Sequence, residues 1–372
     1  MAKIDALAVY LVQWPLKMKR RHGVGDIERV LPGVILEIRT ADGLTGWGEA
    51  APWSVFSGTA EASAAALDRY LRPVVLGRDP ADAGGILGDA DRVVVGEPAA
   101  KAALDMALLD LRGKAAVLPA VDLLGGTVRK KVPLSVSIAN PDLDEDLDFA
   151  ASRIREGVRL FKVKTGFLAH QEDLGRLERI KAVLPPEAEM RIDYNQGLDP
   201  HDALRQLRDI EQFRPGFIEQ PVPRDRRDVM AELARALDTP ILADESVFTP
   251  AEALEMTRSR FADCVSIKLM KCGGTRAAQA IAAIAAAAGI PAYGGTMYES
   301  GIALAAGIHL ACATPNFTLG AEFYTANFVL GVELLTEPLR LADGCSHLPD
   351  GPGLGIAVDP AALKHVAVDV RR

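Results

Sequence analysis

A closed parallel β/α barrel preceded by an α+β domain is the architecture this chain predicts, and three observations carry it. From Val132 onward, short apolar segments alternate with helical stretches. The candidate strands end near Ile138, Lys164, Asp193, Glu219, Asp244, Lys268, Thr296 and Glu322, at intervals of 24 to 29 residues. Eight strands at one pitch, each with room for a returning helix, favour a closed barrel. An open doubly wound sheet is the alternative. It ordinarily carries a phosphate-binding glycine cluster after its first strand, and none stands here. At 372 residues the chain has the length of a barrel plus a lesser domain.

The elements follow in order. Residues 1 to about 55 read as a meander. Alternation at 4–12 and 34–38 predicts strands, Ala41-Asp42-Gly43 a turn, and Gly46-Trp47-Gly48-Glu49 a further strand. Between the first two strands, segment 17–25 (Lys-Met-Lys-Arg-Arg-His-Gly-Val-Gly) is basic, glycine-bearing and expected to be mobile. Residues 59 to about 117 read as helical. Pro98 suits a first turn, and Ala103, Leu104, Ala107, Leu108 and Leu111 recur at helical spacing. After about 330 the barrel pitch is lost, and the turn-rich Asp350-Gly351-Pro352-Gly353-Leu354-Gly355 is expected to return toward the first domain. The division is therefore 1–127 for the α+β domain, 128–328 for the barrel and 329–372 for the returning segment.

Composition narrows the function. The net charge of −8 argues against nucleic acid as the main partner. No signal peptide is visible at the amino terminus, Met-Ala-Lys-Ile-Asp, and no apolar run reaches membrane-spanning length. The alanine-rich stretch 277–289 reads as a barrel helix. Cys264, Cys272, Cys312 and Cys345 show no Cys-x-x-Cys spacing, as expected of structural thiols in a reducing cytosol. A cytoplasmic protein bound to neither membrane nor nucleic acid is the reading.

Three acids close three apolar runs: Asp193 in Met-Arg-Ile-Asp, Glu219 in Gly-Phe-Ile-Glu and Asp244 in Ile-Leu-Ala-Asp. They lie 26 and 25 residues apart (219 − 193 and 244 − 219), which puts them on neighbouring strands at the barrel's carboxyl end. A single such acid reads equally well as a helix N-cap. Three in succession point to an oxygen cage for a hard divalent cation, Mg²⁺ with Mn²⁺ as the alternative. Cysteine and histidine are absent from these motifs, which disfavours zinc. Lys162 and Lys164 precede the acids and Lys268 follows them. A strand-end lysine is otherwise a solvated cation or an ion-pair partner. Beside a dication and a second ammonium its pKa is expected to fall toward ~7–8, within reach of acid–base work. The chemistry that needs this set is proton transfer α to a carboxylate, through an enolate that a bound cation stabilises.

These residues resemble the enolase superfamily, and within it the muconate-lactonising-enzyme subgroup, over nearly the whole chain. The pattern is Lys162-x-Lys164, Asp193-x-Asn195, Glu219-Gln-Pro, Ala-Asp244-Glu245-Ser, Lys268-x-x-x-x-Gly-Gly and Gly-Gly-Thr296-Met. The resemblance implies a modified (β/α)7β TIM-type barrel with an N-terminal α+β capping domain, and a symmetric homo-oligomer. It implies Asp193, Glu219 and Asp244 as metal ligands and Lys164 and Lys268 as acid/base residues. It further implies Lys162 and Glu322 near the substrate carboxylate, and Asn195 and Glu245 behind the ligands. Two capping-domain loops, 17–25 and 52–58, would close over the mouth. His22, Trp53, Phe56 and Thr296 are the expected substrate contacts.

The implied activity is a cycloisomerase acting on a small carboxylate such as cis,cis-muconate. Racemisation or epimerisation of an amino-acid derivative stays open, as does dehydration of a hydroxy acid or a hydroxyproline-type imino acid. Two features narrow this. The presence of both lysines argues against the mandelate-racemase subgroup. Gly294-Gly295-Thr296-Met297-Tyr298-Glu299 stands where a dipeptide epimerase carries an Asp-x-Asp-type segment. The contrasting reading is a non-catalytic barrel that senses a metal or an organic anion.

Overall fold

A computed structural model describes residues 2–27 and 29–372. Met1, which opens the alternating segment, and Glu28 lie outside them. The first layer is an antiparallel sheet of Ile4–Pro15, Val30–Thr40 and Thr45–Ala50, joined at its outer edge by the carboxy-terminal strand Ala367–Arg371. The helix Pro98–Ala116 lies against this sheet. Gly46 and Gly48 share one face of their strand by the two-residue period. A Cβ on Gly48 would sit 1.9 Å from the carbonyl oxygen of Ala103, and one on Gly46 2.3 Å from that of Ala107. Glycine at both positions is therefore what lets helix and sheet touch backbone to backbone.

Segment 17–25 is not the loop expected from its charge. Arg20–His22 pairs antiparallel with Gly25–Ile27 in a two-stranded hairpin. Arg20 and His22 are buried. The turn residues Gly23 and Val24 close the hairpin, and period two turns alternate residues inward. The Arg21 amide donates to the Ala139 carbonyl at 2.7 Å, which fastens the hairpin to the barrel.

The barrel strands are β1 (Ser135–Ile138), β2 (Leu160–Lys164), β3 (Glu189–Asp193), β4 (Ile218–Glu219), β5 (Ile241–Ala243), β6 (Cys264–Ile267), β7 (Ala292–Gly294) and β8 (Phe317–Ala321). Sequential neighbours pair in parallel throughout. A parallel bridge between Leu134 and Ala321 joins β8 back to the start of β1, so the sheet closes. Helices Leu143–Arg155, His170–Val183, Ala203–Ile210, Arg227–Ala236, Pro250–Ser259, Thr275–Ala287 and Gly301–Ala313 return between strands. After β8 only the single turn Thr325–Phe328 follows before the chain leaves, which is the (β/α)7β arrangement. Cys345–His347 then pairs with Lys131–Pro133 below β1. The Gly353 amide donates to the Leu118 carbonyl, and the Leu354 amide to Asp110, which ties the returning segment to the first layer. Among the described residues no helix is long and apolar enough to cross a membrane.

Candidate active site

Strand period and register bring the charged groups to one end of the barrel. Lys162 and Lys164 are two apart on β2, so both turn inward while Phe161 and Val163 turn toward the helices. Lys164 stands opposite Asp193 on β3, and Asp193 opposite Glu219 on β4. Asp244, Lys268 and Glu322 each follow their strand by one residue. The chain turns sharply there. Asn195 (φ 42°) and Gln220 (φ 33°) adopt the left-handed conformation that non-glycine residues disfavour, at a cost of about 1–3 kcal/mol each. The Gln220 carboxamide holds its turn in place. Its oxygen accepts from the amides of Asp244 and Ser246, both at 3.1 Å.

Lys162 is fully buried and its ammonium meets Glu219 (2.9 Å), Glu322 (2.9 Å) and Asp193 (3.0 Å). The Tyr293 ring lies 5.3 Å from that nitrogen. Lys164 pairs with Asp193 at 2.5 Å and donates to the Asn195 carboxamide oxygen at 2.8 Å. The Asn195 amide nitrogen in turn donates to Glu245 at 3.2 Å. Across the mouth, Lys268 faces Asp244 at 2.5 Å. Glu322 also accepts from the Ser137 hydroxyl at 2.5 Å.

The electrostatics are those of too many negative charges in a dry space. Burial and the Asp193 charge push Glu219 up to about 8, despite Lys162. Burial and Asp244 push Glu245 up to about 7. Burial would also raise Asp193, but Lys164 and Lys162 overcome it and hold Asp193 down at about 2. Asp244 is likewise held low, against burial, by Lys268 and Lys271. Lys268 moves opposite to the sequence expectation. Burial lowers it, yet Asp244 and Glu219 lift it above its ordinary value, because carboxylate charge at contact outweighs desolvation.

The three acids stand on adjacent strands but are turned onto ammonium groups. Among the described residues no three histidine, cysteine or acidic side chains close into a metal cluster. The donor set nevertheless fits a hard divalent cation. It is all oxygen, it is buried, it carries excess negative charge, and Glu219 Oε1 has no hydrogen-bond partner. Asp193, Glu219 and Asp244 are the side chains that would hold it.

A narrow cleft opens beside these groups. It is walled by Lys164, Lys268, Asn195 and Glu322 and by the four expected contact residues His22, Trp53, Phe56 and Thr296. Phe56 lies over the Lys268 ammonium at 4.5 Å and stacks on Phe248, centroids 5.4 Å apart. Trp53 meets His22 edge-on at 4.8 Å, and His22 Nε2 hydrogen-bonds the Tyr298 hydroxyl at 2.7 Å. All the residues singled out from the sequence therefore converge. Three more belong with them. Lys271, fully buried, bonds the Asp244 carboxylate (2.8 Å) and its carbonyl (2.7 Å). Arg20 and Tyr298 line the cavity. The i, i+3 spacing from Lys268 to Lys271 is the signal that finds the first. The turn glycines after His22 are the signal for Arg20.

The description "Mandelate racemase / muconate lactonizing enzyme, N-terminal domain" matches residues 10–125, and "Enolase C-terminal domain-like" matches 145–362. The chain belongs to this family of the enolase superfamily. It is 39% identical to Muconate cycloisomerase 1 of Rhodococcus opacus over 342 residues, covering 90% of each chain. A crystal structure of a muconate cycloisomerase from Azorhizobium caulinodans is 46% identical, with a TM-score of 0.87 and 99% of each chain covered. An N-succinyl Arg/Lys racemase from Bacillus cereus ATCC 14579 is 30% identical, with a TM-score of 0.94 and 100% of each chain covered. Enzymes of this superfamily generally use a divalent metal, in keeping with the oxygen donors at this mouth.

Proposed function

We propose that the chain is a cycloisomerase that closes an unsaturated dicarboxylate of the cis,cis-muconate type to a lactone. The observation that carries the reading is the pair of ammonium groups from strands across the barrel, Lys164 on Asp193 and Lys268 on Asp244, walling one cavity. In the forward direction a distal carboxylate oxygen bonds to the alkene carbon. The π electrons pass to the carbon α to the proximal carboxylate, giving an enolate. Lys164 Nζ then gives that carbon a proton and regains one from water. The dianion thus takes up one proton and becomes a monoanionic lactone. In reverse, Lys164 removes the α-proton. Lys268, lifted above its ordinary pKa, stays an ammonium and offsets developing charge from the other side. Glu322, held low by Lys162, remains a carboxylate and orients that lysine. Mg²⁺ is the assigned cation, with Mn²⁺ the alternative. When bound it stabilises negative charge on the proximal carboxylate.

The same reading takes Asn195 and Glu245 as supports of the ligands. His22, Trp53, Phe56 and Thr296 are its substrate walls, and its divisions are 1–127, 128–328 and 329–372. It also takes the chain as a cytoplasmic homo-oligomer that engages neither nucleic acid nor membrane. Lactone formation from cis,cis-muconate and MgCl₂ in D₂O tests it. One deuterium should enter the α-carbon, and Lys164→Ala should abolish turnover. Absence of lactone with the native chain sinks the reading. A second reading, 1,1-proton transfer on an N-acylated amino acid, is favoured by the two opposed lysines and the racemase relative. Under it each lysine variant loses α-proton exchange with one stereoisomer alone.

A further inference from the structure

Asp244 is held from behind by a cation that the chemistry above does not use. Lys164 and Lys268 wall the cleft and Lys271 does not. The Lys271 side chain is completely buried. Two of its three N–H donors go to one residue: the Asp244 carbonyl accepts at 2.7 Å and Asp244 Oδ1 at 2.8 Å. One ammonium thus ties the side chain of Asp244 to its main chain and stops the carboxylate from rotating. The turn that carries Lys271 is itself pinned. The amides of Lys271 and Cys272 donate to the Lys268 carbonyl at 3.2 and 3.1 Å, and those of Gly273 and Gly274 to the Leu269 carbonyl at 3.0 and 3.1 Å. Met270, beside it, is buried, and its sulfur accepts from the Ala51 amide at 3.2 Å. The other carboxylate oxygen, Asp244 Oδ2, has no hydrogen-bond partner and meets the Lys268 ammonium as an ion pair at 2.5 Å. Asp193 is divided in the same way by a backbone donor. Its Oδ1 accepts from the amide two residues on, that of Asn195, at 2.9 Å, and its Oδ2 faces Lys164. At Asp244 the amide two residues on, that of Ser246, goes instead to the Gln220 carboxamide. Lys271 supplies the donor that the backbone there does not.

We infer that Lys271 is a positioning residue that leaves Asp244 one oxygen to give, and that it thereby selects a small octahedral cation over a large one. Mg²⁺ takes near-octahedral geometry and keeps several waters, whereas Ca²⁺ gathers about six to eight oxygens and readily takes both from one carboxylate. With Oδ1 locked, only Oδ2 is left to face a cation from the cleft. The inference rests on the assignment of Asp244 as a metal ligand and adds a reason for the choice of ion. Lys271 also places a positive charge behind the site, which acts on any dication in the same direction. The ratio of two cation affinities, and not either alone, therefore reports the locked oxygen.

The test is calorimetry on the full chain with MgCl₂ and with CaCl₂, in the absence of substrate. The native chain should bind Mg²⁺ at least as tightly as Ca²⁺. Lys271→Met, of similar length and without donors, should shift the ratio toward Ca²⁺ by roughly tenfold or more, the worth of one added charged contact. Lys271→Arg, which keeps charged donors, should shift it less. A native chain that prefers Ca²⁺ overturns the inference without any variant. Equal shifts in the two variants would assign the effect to packing and overturn it as well. A native chain that binds neither cation sinks the ligand assignment and the inference together. One that binds Mg²⁺, with the ratio unmoved in Lys271→Met, keeps the ligand assignment and overturns the inference alone.

Discussion

Two sets of buried acids, one at the barrel mouth and one at the seam between barrel and first layer, solve the same problem differently. At the seam, Glu49 accepts from the Ser300 amide (2.7 Å), the Ser300 hydroxyl (2.8 Å) and the Ala303 amide (3.0 Å), capping the helix Gly301–Ala313. Asp105 accepts from the Thr275 hydroxyl at 2.6 Å and from its amide, capping Thr275–Ala287. Nearby, where the returning segment meets the first layer, Asp110 takes the amides of Trp47 (3.0 Å) and Leu354 (2.9 Å) and the ammonium of Lys114 (2.7 Å). These partners are chiefly backbone donors and helix N-termini, which cannot leave without unfolding something. At the mouth the partners are chiefly ammonium groups on four-carbon stems, and one oxygen of Glu219 has none. Fixed donors make a carboxylate structural. Movable donors let it exchange one partner for another, which a binding site requires.

Breaking the mouth should cost the most activity. Asp244→Asn removes the charge that Lys268 and Lys271 both face. Turnover is expected to fall roughly 10³-fold, on the scale of losing one preorganised electrostatic group. Mg²⁺ affinity, read by calorimetry, should fall with it, while the far-ultraviolet circular dichroism stays native. Unchanged turnover would remove Asp244 from the proposed ligands.

Breaking the seam should cost stability and spare chemistry. Glu49→Ala leaves three buried donors of one helix end without an acceptor. A loss of roughly 3 kcal/mol is expected, seen as an earlier urea midpoint, with kcat changed less than the Asp244 variant changes it. A large kcat effect with an unmoved midpoint would mean that the seam is part of the chemical machinery.

A pH series sharpens the contrast. Burial pushes Glu49 up to about 7, against its three donors. A carboxyl whose folded pKa lies above its unfolded value favours the folded state when protonated. Its contribution is full below about 4.5, the unfolded value, and is lost as pH rises through about 7. Glu219, pushed up to about 8, does the same at the mouth. Melting temperatures should therefore decline between pH 4.5 and 8. MgCl₂, which favours charged carboxylates, should flatten the share from the mouth. Glu49→Gln should flatten the share from the seam. The two effects should add, since the sites share no partner. If MgCl₂ alone removes the whole slope, the seam acids do not titrate as their burial implies.

The barrel was legible because its signal is periodic: one apolar run every 24 to 29 residues survives even where β4 is only Ile218–Glu219. The acids were legible because a residue that ends a strand or stands one past it has a single place to go, the carboxyl rim. What escaped depends on contacts distant in sequence. Arg20 looks like a solvated charge until the hairpin is placed on Ala139 and its guanidinium against Ser137. Lys271 looks like a helix cation until the turn Leu269–Cys272 sets it under Asp244. The upward push on Lys268 depends on which charges stand nearest, and spacing along the chain does not give that.

The smallest expected effect falls between the two regions, where the hairpin meets the mouth. A Cβ on Gly23 would stand 2.1 Å from the Tyr194 carbonyl oxygen and 3.3 Å from that of Asn195, both backbone atoms at the end of β3. Gly23→Ala must therefore lift the hairpin, and with it Arg20 and His22, while Asp193 stays on its strand. KM for a dicarboxylate is expected to rise roughly tenfold, as a displacement of about 1 Å in positioning groups permits. Mg²⁺ affinity should hold within about twofold, since no ligand of the cation moves. Steady-state kinetics over a Mg²⁺ series separates the two quantities. Parallel losses in both would mean that hairpin and ligands behave as one unit, and that the mouth is less free to exchange partners than its ammonium contacts imply.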